Sequence, residues 1–265
     1  MSARNSQANK AAAREKLRAE REKQAKKAKA RRQVFVAAGV VGALALAGGV
    51  GYLVVQANKP GEWDKAADAA LVQPKNTTGE NGTTVVIGKA EAKKTLELYE
   101  DSRCPICATF EQAVGAQVKT DLDAGKYKIQ YIGATFLDKG FPGSGSKNAL
   151  SALGAALNVS PEAFLEYKTA LYSAANHPEE KDDKFAKDDY LLSVADQVPA
   201  LKDNAGFKKD VTDGTYNRWA LEMSKAFDKS GVTGTPTLKM DGKKIDPLPQ
   251  SPEAFTAAID KAIAG

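Results

Sequence analysis

The sequence predicts an α/β domain with an inserted helical segment, preceded by one transmembrane helix. Three observations predict it. Residues 34–55 form a run of 22 residues without a charge, directly behind a basic tail. A strand-like segment runs straight into Cys104-Pro105-Ile106-Cys107, after which apolar residues recur every four positions. Between that passage and a further strand-like segment at Thr237 lie several stretches with helical periodicity.

The chain has 265 residues and a net charge of +5, unevenly spread. Residues 1–33 hold twelve Lys/Arg against three Glu, a charge of +9, which leaves −4 for everything after them. The basic balance therefore belongs to a tail. No basic groove with interleaved aromatics follows it, so nucleic acid is not an expected partner. The run at 34–55 is long enough to cross a bilayer as a helix. Basic residues abut only its N-terminal end, so the positive-inside bias puts 1–33 in the cytoplasm and exports the rest, with one helix as a signal anchor in the cell membrane. A buried core helix is the alternative, against which stand the uniform apolarity and the flanking charge. A cleaved signal is another: Val55-Gln56-Ala57 offers a small-residue site and Arg31-Arg32 a twin-arginine likeness, but the run exceeds the roughly 7–15 residues of a usual apolar core. The tail suits a helix near anionic lipid. Residues 56–82, with Pro60, Gly61, Pro74, Gly79 and Gly82, read as a linker broken by a short helix near Asp64–Leu71.

A domain over 83–265 follows. Thr83–Ile87 and Thr95–Tyr99 are strand-like. Phe110, Val114, Val118 and Leu122 then mark one side of a helix that should stop near Gly125. A strand is expected over Lys128–Phe136, and a turn-rich passage from Gly140 to Gly145 leads into an inserted helical subdomain at about 142–228. Its helices are expected near Lys147–Leu157, Pro161–Ala174, Asp188–Val198 and Thr215–Ser230. Phe164, Tyr167, Leu171 and Tyr172 fall at helical spacing, which favours packing between helices over a substrate surface. A strand at Thr237–Met240, a turn at Asp241-Gly242 and a helix capped by Ser251-Pro252-Glu253, with Phe255, Ile259 and Ile263 on one face, close the domain.

The two cysteines decide the chemistry. A disulfide closing so short a loop removes little entropy from the unfolded chain and makes a poor staple. A zinc site wants about four ligands, and the sequence supplies two Cys and one His, so no metal is expected; His177 reads as an exposed residue before Pro178. Alone, C-x-x-C could still be half of a metal knuckle. At the start of a helix, however, Cys104 meets unpaired N–H groups and the positive end of the dipole, which lower a thiol's pKa. Pro105 suits the first turn, and Cys107, one turn further in, can attack a mixed disulfide formed by Cys104. A stabilised Cys104 thiolate favours the reduced pair and makes the disulfide oxidising.

The passage LELYEDSRCPIC, together with Val232-Thr233-Gly234-Thr235-Pro236-Thr237, resembles the thioredoxin superfamily, specifically DsbA-like oxidoreductases. The resemblance covers roughly Thr83 to Gly265. It implies a thioredoxin-like fold with inserted helices, a cis Pro236 facing Cys104, and a Thr235 backbone free to pair with an extended substrate beside Pro105 and Ile106. It also implies exported substrates with reduced thiols and a membrane-embedded partner that reoxidises the pair, with no cofactor. With Pro105-Ile106 between the cysteines there is no His to stabilise the thiolate further. Some relatives carry a buried acid on the strand before the motif. Glu97, Glu100 and Asp101 are candidates here, and Asp101, nearest Cys104, is the expected proton-transfer helper. An oxidase donating its disulfide is the leading reading. A reductase or isomerase would use the same residues, and a tethered binding module would keep the bond static.

Overall fold

The central strand of the sheet owes its place to its composition: Thr95–Asp101 alternates Leu96 and Leu98 with polar residues and then buries everything from Leu98 on. It is β2 of a computed structural model that describes residues 61–265, together with Lys23 and Lys27, both helical, in the tail. β2 pairs in parallel with β3 (Lys128–Ala134) and antiparallel with β4 (Thr237–Met240). Edge strands complete the order β1-β3-β2-β4-β5: Val85–Ile87 as β1 on β3, and the two-residue Lys243–Lys244 as β5 on β4. A parallel pair needs a crossover, and α2 (Pro105–Ala124) supplies it between β2 and β3. Gly125 ends that helix in the left-handed region, φ 73°, where its N–H bonds back to Asp121 and Leu122.

Before the sheet comes α1 (Glu62–Asp68). After β3 the insertion unfolds as α3 (Leu137–Gly140), α4 (Gly145–Val159), α5 (Pro161–Tyr172), α6 (Asp188–Ala195), α7 (Ala205–Thr212) and α8 (Asn217–Lys229). α9 (Pro252–Ala264), capped by Ser251 Oγ on Ala254 N, closes the chain. α9 packs on α2 through Phe110 and Phe255, rings 6.3 Å apart, and α8 crosses the sheet where Phe227 meets Tyr99 and Phe136. α4 lies so close to β3 that a Cβ on Gly133 would collide with Leu150.

The elements expected within residues 61–265 are present with ends moved by a few residues. Among the helices and strands named above, α3, α7 and β5 were not expected. α7 buries only Phe207 and Val211 among eight residues, too thin a stripe to carry a periodic signal. Phe164, Tyr167, Leu171 and Tyr172 are buried, as packing between helices requires. Residues 62–82 correct the linker reading, because they are packed on the domain. Trp219 Nε1 donates to the Gly82 carbonyl at 2.8 Å, Asn76 Nδ2 to the Leu157 carbonyl at 3.0 Å, and Asn217 Nδ2 to Glu62 at 2.9 Å. Proline and glycine mark irregular backbone, and here that backbone finds partners in the helices. The basic tail apart from its two lysines, the apolar run 34–55 and the cleavage alternatives at 55–57 lie outside the described residues. Among the described residues no helix is long and apolar enough to cross a membrane.

Candidate functional site

β2 ends in a tight turn that delivers Cys104 to the start of α2. Cys104 N donates to the Asp101 carbonyl at 2.9 Å, and the Asp101 carboxylate takes the Arg103 N–H at 3.0 Å. Cys104 is the helix N-cap, with φ −74° and ψ 116°, and Pro105 opens the first turn. The Cys107 N–H points at Cys104 Sγ, 3.4 Å away. Both cysteines are free thiols; Cys104 is 6% exposed at the surface and Cys107 fully buried. Ile106 between them is 60% exposed, leaving an apolar surface beside Cys104.

The Thr235-Pro236 peptide is cis and brings the Thr235 carbonyl to 3.5 Å from Cys104 Sγ, which donates to it. Cys104, followed directly by Pro105 and Ile106, thus lies against the cis Thr235-Pro236 peptide. A second cis peptide, Asp246-Pro247, was not expected.

The two thiols are driven apart electrostatically. Cys104 falls to about 6, mostly because the Cys107 thiol hydrogen-bonds to its sulfur, with the backbone N–H groups of Cys107 and Ile106 adding to this against burial. Cys107 is raised well above a free thiol by burial, by its bond to Cys104 and by the charge of Glu100.

That last cause redirects the search for the buried acid. Neighbouring strand residues face opposite sides of a sheet, and β2 separates its two terminal carboxyls accordingly. Asp101 faces α4: it accepts Ser146 Oγ at 2.6 Å and the Leu137 N–H at 3.2 Å, so it ties the turn to the insertion. Burial raises it to about 6 against those bonds. Glu100 faces α2 and α5 on the side of the cysteines, fully buried and raised to about 7 by burial. Lys168 Nζ of α5 lies 3.1 Å from Glu100 and 2.6 Å from Glu111 of α2. Burial and the partly opposing fields of that lysine and of Glu111 set the Glu100 proton. Glu97 is remote, bonded to Tyr99 Oη and the Gly242 N–H. Of the three candidate acids, Glu100 is the one whose charge raises Cys107.

Lys168 and Glu111 were missed, although each is a charge on an otherwise apolar helix face, Lys168 between Phe164 and Leu171, Glu111 between Cys107 and Val114. His177 is a correction: it is half-buried, stacked on Tyr172 with ring centroids 5.8 Å apart, with Nε2 3.1 Å from the Ser102 carbonyl. The sequence hides this because its partner is a backbone atom 75 positions away. Among the described residues no cluster of His, Cys, Asp or Glu could hold a metal ion. A groove of about 810 Å³ runs between α2 and α5 and is lined at its inner wall by Glu111 and Lys168.

Residues 80–261 match the family model described as Thioredoxin. The chain is similar to the probable disulfide bond formation protein D of Bacillus cereus, 23% identical over 178 residues, covering 67% of this chain and 77% of that one. It is similar also to disulfide bond formation protein D of Bacillus subtilis, 22% identical over 161 residues, 60% and 68% of the respective chains. Among solved structures, the reduced disulfide bond oxidoreductase DsbG from Mycobacterium tuberculosis aligns with a TM-score of 0.58 at 23% identity, over 69% of this chain and 89% of that one. Oxidised BdbD from Bacillus subtilis aligns at 0.57 and 20%, over 74% and 99%. At these identities the solved structures speak to the fold.

Proposed function

Since the chain belongs to the thioredoxin family, we propose that it acts as a thiol-disulfide oxidoreductase that donates a Cys104–Cys107 disulfide to exported proteins. The observation that carries the reading is the contrast within the pair: Cys104 at the helix N-cap, its Sγ 3.4 Å from the Cys107 N–H and its pKa lowered to about 6, against a fully buried Cys107 whose pKa is raised. The names of the Bacillus relatives, disulfide bond formation proteins, support it.

A substrate thiolate attacks Cys104 Sγ, the sulfur nearer the surface, and the Cys104–Cys107 bond breaks with its electron pair on Cys107. Buried Cys107 disfavours the charge and takes a proton. Glu100, poised near 7 and sensed by Cys107, is the group proposed to pass that proton, with Lys168 and Glu111 linking it to the α2/α5 groove. The substrate's second thiolate then attacks its own sulfur in the mixed disulfide and expels Cys104. Because Cys104 is the more acidic thiol, it is the better leaving group, and exchange runs towards oxidised substrate. Two electrons have moved from the substrate to the pair. An extended substrate segment pairs with the Thr235 backbone and rests on Ile106, Pro105 and Pro236.

The basic tail and the apolar run 34–55 support a single-span anchor with the domain outside the membrane, and a membrane-embedded partner withdraws the electrons. A reductase or isomerase would use the same atoms, but a thiolate-favouring Cys104 supports the oxidising direction. The test is the rate at which the full chain, oxidised and in detergent, forms disulfides in a reduced unfolded protein. Rapid oxidation lost in Cys104→Ser is expected; a wild-type rate no better than that of the variant refutes the reading.

A further inference from the structure

The two residues before Cys104 are held by the insertion, at contacts the exchange chemistry does not use. Ser102 presents its carbonyl to His177 Nε2 at 3.1 Å. With a carbonyl as partner, that nitrogen carries the proton and donates. The imidazole lies between Tyr172 and Phe185, and Tyr172 itself packs on Cys104, Cys107 and Ala108. Arg103 is buried at 2% exposure. Its guanidinium donates to Asp138 at 3.0 Å, to the Phe141 carbonyl at 3.0 Å and to the Glu180 carbonyl at 3.0 Å, and lies 3.3 Å from Asp183. Asp183 in turn accepts the Ser144 and Gly145 N–H groups at the start of α4.

We propose that His177 and Arg103 are positioning residues, a clamp by which the helical insertion fixes the Asp101–Cys104 turn and so sets the reactivity of the Cys104 thiolate. The inference rests on the reading of Cys104 as the exchanging thiol. Asp101 holds the turn from within, through its carbonyl and carboxylate; His177 and Arg103 hold it from outside, through one backbone atom and one side chain. Sγ of an N-cap gains from the helix start only while it stays in reach of the Cys107 N–H, already 3.4 Å away. A turn released by a few tenths of an ångström lengthens that bond and weakens the thiolate. A guanidinium fork that meets carboxylates and carbonyls of two separate segments, 138–141 and 180–183, also makes the geometry rigid. Its charge is balanced by Asp138 and Asp183, so its effect on Cys104 is through position.

The experiment uses the full chain and its variants His177→Phe, His177→Gln and Arg103→Lys, with Asn217→Ala as a remote destabilised control. His177→Phe keeps the ring stack and deletes the N–H; His177→Gln keeps an N–H; Arg103→Lys keeps the charge and loses the fork. Two readouts are taken: the Cys104 pKa by thiolate absorbance, and the equilibrium of the pair with a glutathione redox buffer. His177→Phe and Arg103→Lys are expected to raise the pKa and to make the disulfide about threefold or more easier to keep, the scale of one lost hydrogen bond. His177→Gln and Asn217→Ala should stay near wild type. If His177→Phe and Arg103→Lys fold, lose thermal stability and keep both wild-type values, the clamp is merely structural and the proposal fails. Should His177→Phe not fold, Arg103→Lys alone decides by the same criterion. A wild-type chain that oxidises no better than Cys104→Ser removes the proposed function instead, whatever the variants do.

Discussion

Replacing Cys104 by serine deletes the thiol whose folded ionisation lies near 6 against 9.0 for an unperturbed group, and the two pKa values fix how the stability of the dithiol form must change with pH. A lowered folded pKa adds stability in full above the unfolded value and loses it as pH falls through the folded one. Linkage gives close to nothing at pH 5, about 1.4 kcal/mol at pH 7 and about 3–4 kcal/mol at pH 9. Solvent at the mouth of the site trims the pH 7 figure to roughly 1 kcal/mol. Glu100 and Asp101 act with the opposite sign, because their raised folded values cost stability as pH climbs from the ordinary carboxylate range through about 6 to 7. Both are present in wild type and variant alike, so the difference between the two proteins cancels most of their contribution. The assay is urea unfolding of the reduced wild type and of Cys104→Ser at pH 5, 7 and 9. The wild-type advantage should grow at each step. A difference that stays flat from pH 5 to 9 would refute a depressed Cys104 and with it the electrostatic account of direction.

Other outcomes follow from the same geometry. Glu100→Gln should slow formation of the mixed disulfide, the step in which Cys107 leaves and takes its proton, by roughly 100-fold while leaving the Cys104 pKa nearly unchanged, which trapping the mixed disulfide with time would read. Lys168→Met strands two buried carboxylates, Glu100 and Glu111, and should cost about 3–5 kcal/mol in urea unfolding at pH 8, less at pH 5 where both can take protons. Trp219→Phe loses the bond to the Gly82 carbonyl, so residues 62–82 should be cut by protease well before the rest of the domain.

How far the sequence carried is clearest at the redox turn. Cys104 and Cys107, with a proline in the first turn and four-residue apolar spacing behind them, announce a capped helix on local chemistry alone. So does Ser251 before Pro252. The acid could not be sorted the same way. Alternation separates faces only where one face is wet, and Tyr99, Glu100 and Asp101 are all buried, because the insertion covers one side of the strand end and α2 the other. Proximity in sequence favoured Asp101, whereas the carboxyl whose charge raises Cys107 is that of Glu100. His177 and Arg103 were illegible for a related reason, since their partners are mostly backbone carbonyls and carboxylates from segments far along the chain. Residues 62–82 carried the composition of a tether, and nothing local reveals that Trp219 waits for one of their carbonyls.

The edges of the sheet bear on the company such a protein keeps. A catalyst of disulfide exchange on newly exported chains, the function proposed above, meets polypeptides whose strands are unpaired and seeking partners. Its own sheet offers them little to copy: three residues at β1, and at β5 two residues, Lys243 and Lys244, both exposed. Short borders of this kind, the β5 one doubly charged, suit a client that lies along Thr235 for one exchange and then leaves, where a long bare edge would hold it as a template for aggregation.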